Sequence, residues 1–175
     1  PDKVCSTFDS SPSVGAIGRA LDMGLSVRPS SWSPMIVAAP ALRRYQAFGN
    51  LFATVEGTAY RLDRHPTMSR HPVTPMREAD LRLHLNAQTG EVIGLVDLLD
   101  LKAGRGPARV AALRDAGARV ILIDVIDDET LVEAGRLVWE MRGDGVFTAS
   151  SSGLQYALTA YWRDRGLIGD APAIA

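Results

Sequence analysis

One cysteine in 175 residues, Cys5, leaves no partner for an intramolecular disulfide. The fold must hold by packing alone, and a reducing, cytoplasmic compartment suits such a chain. Aromatic residues are scarce at 6%, too few for a platform that stacks nucleobases. Neither sign of charge is in excess: 19 basic residues face 20 acidic ones, a formal net charge of −1. That balance argues against an electrostatic grip on nucleic acid. No apolar run approaches the roughly 20 residues that cross a bilayer, so no membrane partner is expected. No signal peptide is visible either, and a start at Pro1 without methionine reads as a cut end. Three histidines, His65, His71 and His84, stand at no metal-ligand spacing, so no metal site is expected.

What is present is ordinary for a globular domain: 46% hydrophobic and 22% charged residues, enough to bury a core without staples. Lys3–Phe8 reads as a strand. Ser11-Pro12 reads as an N-cap and first helical position, with Val14, Ile17 and Leu21 carrying a helix to about Met23. "MIVAAP" (35–40) has the unbroken apolar character of a strand covered on both faces. Residues 41–64 hold two β-like runs around Glu56-Gly57, a hairpin. Residues 65–75 carry three prolines and are irregular. Then helices (75–88, 107–116, 128–141, 153–165) alternate with strands (92–97, 119–125, 145–150). The pattern predicts one α/β domain over residues 1–175. It has three layers: a mostly parallel sheet, helices on both faces and an inserted β-hairpin.

In such sheets ligands bind outside the carboxyl ends of the strands. Here those ends carry Asp9-Ser10-Ser11, Asp97, Asp124 with Asp127-Asp128, and Ser150-Ser151-Ser152. Asp and Ser also cap helices at such junctions, which accounts for Asp97, Asp127 and Asp128. Asp124 sits inside "ILIDVI" and is either hydrogen-bonded in the core or part of a site. "STFDSSPSVGAIG" and "TASSSGLQYAL" share one design: a strand, hydroxyls with glycine nearby, a helix start. Free N–H groups at a helix N-terminus favour an anion. Neither segment is a phosphate loop ending in Gly-Lys-Ser/Thr or a dinucleotide Gly-x-Gly-x-x-Gly. Together they predict a small anionic ligand in a shared cleft at one sheet edge, with the hydroxyls of Ser10, Ser11, Ser150, Ser151 and Ser152 facing it. Gly153 opens the second helix there, and Lys3, Arg70 or His71 stands on the rim. In "SRHPVTPM" (69–76) a plain loop with Thr74 as the next N-cap is the competing reading of Arg70 and His71. Cys5 reads as a small core residue. A serine hydrolase is a poor reading, because there is no Gly-x-Ser-x-Gly elbow.

The segments "KVCSTFDSSPSVGAIGRALD", "GNLFA", "YRLDRHPTMSRHPVTPM" and "FTASSSGLQYAL" resemble the amino-terminal, substrate-binding domain of the four-carbon acid sugar kinases. Some members of that family carry the label Hrp-dependent type III effector. The resemblance covers nearly the whole chain. It implies an ATP-dependent kinase, working with Mg2+, that phosphorylates a hydroxyl of threonate, erythronate, 3-oxo-tetronate or a branched relative such as 3-oxo-isoapionate. It also implies that Lys3, Ser6, Thr7 and Asp9 border the sugar-acid site at a cleft between two domains. Lys3 would pair with a carboxylate, and Asp9 and the hydroxyls would bond the polyol. No catalytic base is identified. The family's earlier strand, with an Asp-Asp-Leu-Thr-Gly type motif, and its carboxyl-terminal nucleotide-binding domain find no match in this chain. ATP is therefore expected on that second domain, which is the expected partner. The alternative class is a ligand-binding or interaction module without turnover, as the effector label suggests.

Because no phosphate loop is present, this 175-residue chain by itself is expected neither to hydrolyse ATP nor to bind it tightly. Isothermal titration of the chain with ATP checks this, and a micromolar Kd would contradict it.

Overall fold

The computed structural model describes residues 2–169. In chain order, β1 (Asp2–Lys3) leads through a long loop to α1 (Ile17–Val27) and β2 (Ser33–Met35). Three antiparallel strands follow: β3 (Arg44–Ala47), β4 (Asn50–Val55) and β5 (Thr58–Arg61). A proline-rich stretch of short 3-10 turns reaches α2 (Leu81–Asn86). Then come β6 (Ile93–Val96), α3 (Leu98–Lys102), α4 (Gly106–Asp115), β7 (Val120–Ile123), α5 (Asp128–Glu140), β8 (Ala149–Ser150) and α6 (Ser152–Asp164).

The strands β2, β7 and β6 form a parallel sheet in that order, and β1 pairs in parallel with β8. Hydrogen bonds stitch β8 to β2: Ser151 N–H donates to the Ile36 carbonyl at 3.0 Å, and Ser33 Oγ donates to the Phe147 carbonyl at 2.9 Å. The strands thus run β1, β8, β2, β7, β6 across the molecule. Alternation along the strands divides the core. Met35, Val37, Val120, Leu122 and Ala149 face α1, α2 and the small sheet. Ile36, Ala38, Ile121 and Ile123 face α4, α5 and α6. With both faces covered, the strands carry no polar side chain until their ends, which is why "MIVAAP" and "VILI" are unbroken apolar runs. Each large side chain buried this way contributes about 1.5–3 kcal/mol.

The architecture is the expected α/β fold, with three local differences. First, β1 stops at Lys3, and Ser11–Val14 closes a turn instead of starting a helix. Ser11 N–H donates to the Val14 carbonyl and Val14 N–H to Ser11 Oγ, each at 2.9 Å, and Gly15 at φ +61° redirects the chain into α1. Second, the helix expected over 75–88 is reduced to Leu81–Asn86, capped by Asp80 rather than Thr74. Its first half is claimed by the small sheet: Leu51 N–H donates to the Ala79 carbonyl and Leu81 N–H to the Gly49 carbonyl, each at 2.9 Å. Third, a further hairpin joins β3 to β4 through Phe48 (φ 51°) and Gly49 (φ 82°). It repeats the paired left-handed turn at Glu56 (φ 49°) and Gly57 (φ 79°) that joins β4 to β5.

Asp124, at the end of β7, fastens the small sheet to the large one. Its carboxylate accepts from Gln46 Nε2 and Gly49 N–H at 3.0 Å and from Phe48 N–H at 2.5 Å. The backbones of Gln46 and Val125 also exchange hydrogen bonds of 2.8 and 3.1 Å. Asp124 is fully buried. Burial pushes its proton affinity above the ordinary carboxylate value, and the charge of Asp97 adds to this. The donors from Gly49, Gln46 and Phe48 pull the other way without cancelling it.

Two outcomes follow from this packing. A Cβ on Gly135 would stand 2.0 Å from the Ala157 carbonyl, where α5 crosses α6. Gly135→Ala is expected to destabilise the fold by about 1–3 kcal/mol in urea unfolding, although alanine favours a helix by about 1 kcal/mol over glycine. For Asp124, a carboxyl whose proton affinity is higher folded than unfolded stabilises most in its protonated form. Its contribution is present below the ordinary carboxylate pKa of about 3.9 and is lost as pH rises through the raised folded value. The stability of the wild type relative to Asp124→Asn is therefore expected to fall as pH increases from about 4. Urea midpoints of both proteins across that range check it.

Candidate functional site

The carboxyl ends of β1 and β8 lie side by side, since Lys3 pairs with Ser150 and Val4 N–H donates to the Ser150 carbonyl at 2.9 Å. From that edge residues 5–11 form a compact loop. Phe8 N–H donates to the Cys5 carbonyl at 3.0 Å, which puts Ser6 and Thr7 at the tip of a turn. Phe8 takes a left-handed φ of 54°, a conformation that costs a bulky residue energy. Its ring is fully buried, and this anchors the loop. Asp9 is therefore turned back toward the tip, and Thr7 Oγ donates to Asp9 Oδ1 at 2.7 Å. The Cys5 thiol lies 3.0 Å from Thr7 Oγ. With the Thr7 proton committed to Asp9, the thiol is the donor in that pair. Cys5 is exposed, not a core residue.

Asp9 is half-buried, and burial pushes its proton affinity up. Hydrogen bonds from Thr7, Cys5 and its own backbone, together with the charge of His71, outweigh that and hold it below the ordinary carboxylate value. The loop thus keeps a charged carboxylate at the sheet edge. Between it and α1 lies an open groove of about 500 Å³ whose polar lining comes from Cys5, Asp9, Ser13 and Arg19. Gly15 and Ala16, at the entrance to α1, also line it.

His71 reaches this edge on the proline-rich segment, closed at its base by Met76 N–H donating to the Met68 carbonyl at 2.9 Å. Its Nδ1 accepts from Thr74 N–H at 3.0 Å and lies 3.0 Å from Thr74 Oγ. Its own loop thus engages the ring through Nδ1. Arg70, the last residue of a 3-10 turn, is exposed next to it, and Lys3 is exposed on β1. Lys3, Ser6, Thr7, Asp9, Arg70 and His71 are thus all at least partly open to solvent.

The serines behave otherwise. Ser10 Oγ is buried and donates to the Phe8 carbonyl at 3.0 Å. Ser11 bonds its own turn with Val14. Ser150 Oγ accepts from Ile36 N–H at 3.0 Å and lies 2.6 Å from Thr148 Oγ. Ser151 is fully buried. Its hydroxyl donates to the Val37 carbonyl at 2.6 Å and accepts from Gly153 N–H at 2.9 Å as the N-cap of α6. A Cβ on Gly153 would stand 1.8 Å from the Ala38 carbonyl, so the chain following β2 closes over the helix start. The expectation that Ser10, Ser150 and Ser151 face a shared cleft is therefore corrected. Strand ends that pair through only two residues leave backbone groups unsatisfied, and the Ser150 and Ser151 hydroxyls bond them, while Ser10 bonds the Phe8 carbonyl of its own loop. Ser152, in the first turn of α6, remains half-buried. A helix start near Pro12 does not exist, so the expected second anion-binding end is displaced to Ile17. Asp97 and Asp127 cap α3 and α5, and Asp128 follows in the first turn.

Among the described residues, no three His, Cys, Asp or Glu side chains are grouped to hold a metal ion. No helix there is long and apolar enough to cross a membrane. Sequence reasoning missed two groove residues: Ser13, which it placed inside a helix that starts only at Ile17, and Arg19, which is in that helix and whose position beside the loop no local pattern reveals.

A 3-oxo-isoapionate kinase of Paraburkholderia graminis is 65% identical over 172 residues, which covers 98% of this chain and 37% of that protein. A 3-oxo-tetronate kinase of Pectobacterium atrosepticum is 29% identical, covering 93% of this chain and 36% of its relative. A crystal structure of a Haemophilus influenzae protein superposes with a TM-score of 0.81 at 29% identity, over 98% of this chain and 39% of that one. The chain thus spans little more than a third of the length of the relatives it matches. Residues 2–158 match the family described as "Sugar-binding N-terminal domain", and the chain belongs to that family.

Proposed function

We propose that this chain is the sugar-acid-binding part of an ATP-dependent kinase that acts on a four-carbon or related sugar acid, in the class of 3-oxo-isoapionate and 3-oxo-tetronate. The observation that carries the reading is the Cys5–Phe8 turn. It holds Asp9 ionised beside a groove, with Lys3, Arg70 and His71 exposed nearby. A sugar acid has a carboxylate and several hydroxyls. Lys3, with Arg70 at the rim, supplies positive charge for the carboxylate. Asp9 accepts from hydroxyls, Ser6 and Thr7 offer hydroxyls of their own, and the His71 ring stands at the same edge. The names of the similar kinases support the substrate class.

ATP with Mg2+ supplies the phosphoryl group in such a reaction. The described residues do not fit that group: they hold no clustered metal ligands, and the sequence has no phosphate loop. The nucleotide is assigned to another part of the full-length kinase. The domain described here binds the sugar acid, orients the reacting hydroxyl and gives the substrate a polar surface held rigid before binding. A protein of this kind acts in the cytoplasm, where ATP is available.

Lys3→Met in the full-length protein is expected to lower kcat/KM for the sugar acid roughly 10- to 150-fold, the loss of a charge-assisted bond. Its melting temperature should not change, because the residue is exposed. Steady-state phosphorylation of 3-oxo-isoapionate and 3-oxo-tetronate checks this. A catalytically silent Lys3→Met removes Lys3 from the site. A full-length protein that phosphorylates neither acid leaves the binding module without turnover as the function.

A further inference from the structure

The two walls of the groove are tied together from behind by residues at the end of α2. Gln88 reaches both: its Nε2 donates to Ser10 Oγ at 2.9 Å, and its Oε1 accepts from Gly18 N–H in the first turn of α1 at 3.3 Å. A Cβ on Gly18 would stand 2.6 Å from the Gln88 Cβ, so glycine there is what admits the amide. One helical turn before Gln88, His84 Nε2 lies 2.9 Å from Ser10 Oγ, and its ring packs against Phe8 with centroids 5.8 Å apart.

Proton accounting fixes the roles. Ser10 has one hydroxyl proton, and it goes to the Phe8 carbonyl. Its oxygen then accepts from the Gln88 amide and from His84 Nε2–H, which fills its capacity. Burial holds the proton affinity of His84 below the ordinary histidine value, against the charge of Glu78 and the Ser10 backbone, so the ring is neutral at pH 7. The Ser10–His84 pair is therefore no nucleophile and base, because the serine proton points away from the histidine. Neither Ser10, Gln88 nor His84 lines the groove. Burying such groups is costly unless every bond is made. Here the completed network bonds the Phe8 carbonyl, at the left-handed residue that sets the direction of Asp9.

We propose that His84 and Gln88 are positioning residues of the sugar-acid site: acting through Ser10, they fix the Phe8–Asp9 backbone against the first turn of α1 and so set where the Asp9 carboxylate stands. The proposal rests on reading this groove as the sugar-acid site. The loop's own bonds between Cys5, Thr7 and Asp9 order the tip, but they do not relate it to α1. The α2 clamp does.

The test uses the full-length protein with ATP and, as probes, 3-oxo-isoapionate and 3-oxo-tetronate. His84→Phe keeps a ring against Phe8 and removes the donor. It is expected to raise KM for the sugar acid about tenfold, the loss of one net hydrogen bond, and to leave KM for ATP unchanged. His84→Gln, which restores an N–H near the same place, is expected to recover most of that loss. Ser10→Ala, which also removes the bonds to the Phe8 carbonyl and to Gln88, should raise KM at least as much as His84→Phe, and the double variant should be no worse than Ser10→Ala alone. An unchanged KM in His84→Phe overturns the proposal, whether or not the melting temperature falls, and so does an additive double variant. If His84→Phe fails to fold, an unchanged KM in Ser10→Ala overturns it instead. If the wild type phosphorylates neither acid, the functional reading fails. The clamp is then judged by amide hydrogen exchange of residues 5–11, expected to quicken in Ser10→Ala and His84→Gln to differ little from wild type. Exchange that stays as slow as the wild type in Ser10→Ala overturns it.

Discussion

The carboxylate of Asp124 sits where two sheets meet, and the site depends on its bonds. Parallel strands end with open backbone groups, and a three-stranded antiparallel sheet has no covering layer of its own. Asp124 joins them by taking the Phe48 and Gly49 amides of one turn and the side chain of Gln46. The small sheet then lies over the first core face through Leu51 and Ala53. From its last strand the chain must return to β6, and that return carries His71 and Arg70. Seating the small sheet is thus what brings the proline-rich segment near residues 5–11. A charge buried this deeply costs several kcal/mol, and the two turn amides offset only part of that.

A second economy runs through the serines. The strands at this edge are short: β1 and β8 pair over only two residues each. Short strands leave backbone groups unpaired, and the hydroxyls of Ser150, Ser151 and Ser33 bond the groups of neighbouring strands. The hydroxyl-rich junction is first a seam. The loop after β1 differs, because the turn around Thr7 leaves its polar atoms partly open to solvent, and the proposed ligand chemistry falls there. The two segments look alike in sequence, yet one begins a helix at once while the other inserts a turn before α1. In the first the serines are spent on the cap. In the second a groove opens between loop and helix.

Rigidity at this groove comes from polar contacts more than from apolar ones. Phe8 is anchored by its buried ring, but the direction of its carbonyl is held by the Ser10 hydroxyl and, behind it, His84 and Gln88. If the groove takes the proposed sugar acid, such prior ordering spares loop entropy when the ligand binds. The close approach of Gln88 to Gly18 extends the same ordering to α1, so loop and helix present one surface.

The sequence by itself determined the α/β class, the alternation of helices and strands after residue 90, the Glu56-Gly57 hairpin and the family. Apolar runs, helical periods and turn residues are local signals, set by neighbours within a few positions. It also set Asp9 at the end of the first strand, and Thr7 entered only through the family resemblance. Three things were decided only by tertiary structure. The first half of α2 gave way because the Ala79 and Leu81 backbones bond β4 and its turn, a partner some thirty residues away that no local pattern reveals. Whether Asp124 served core or site, and whether Ser10, Ser150 and Ser151 faced solvent or backbone, hung on which unpaired groups of distant strands came within about 3 Å of them, as hydrogen bonding requires. And His84, which the sequence singled out only for lacking metal-ligand spacing, meets the Ser10 hydroxyl and the Phe8 ring only because folding laid α2 behind residues 8–10. Hydrogen bonds are short and directional, so a side chain's role is settled by the partner that packing delivers to it.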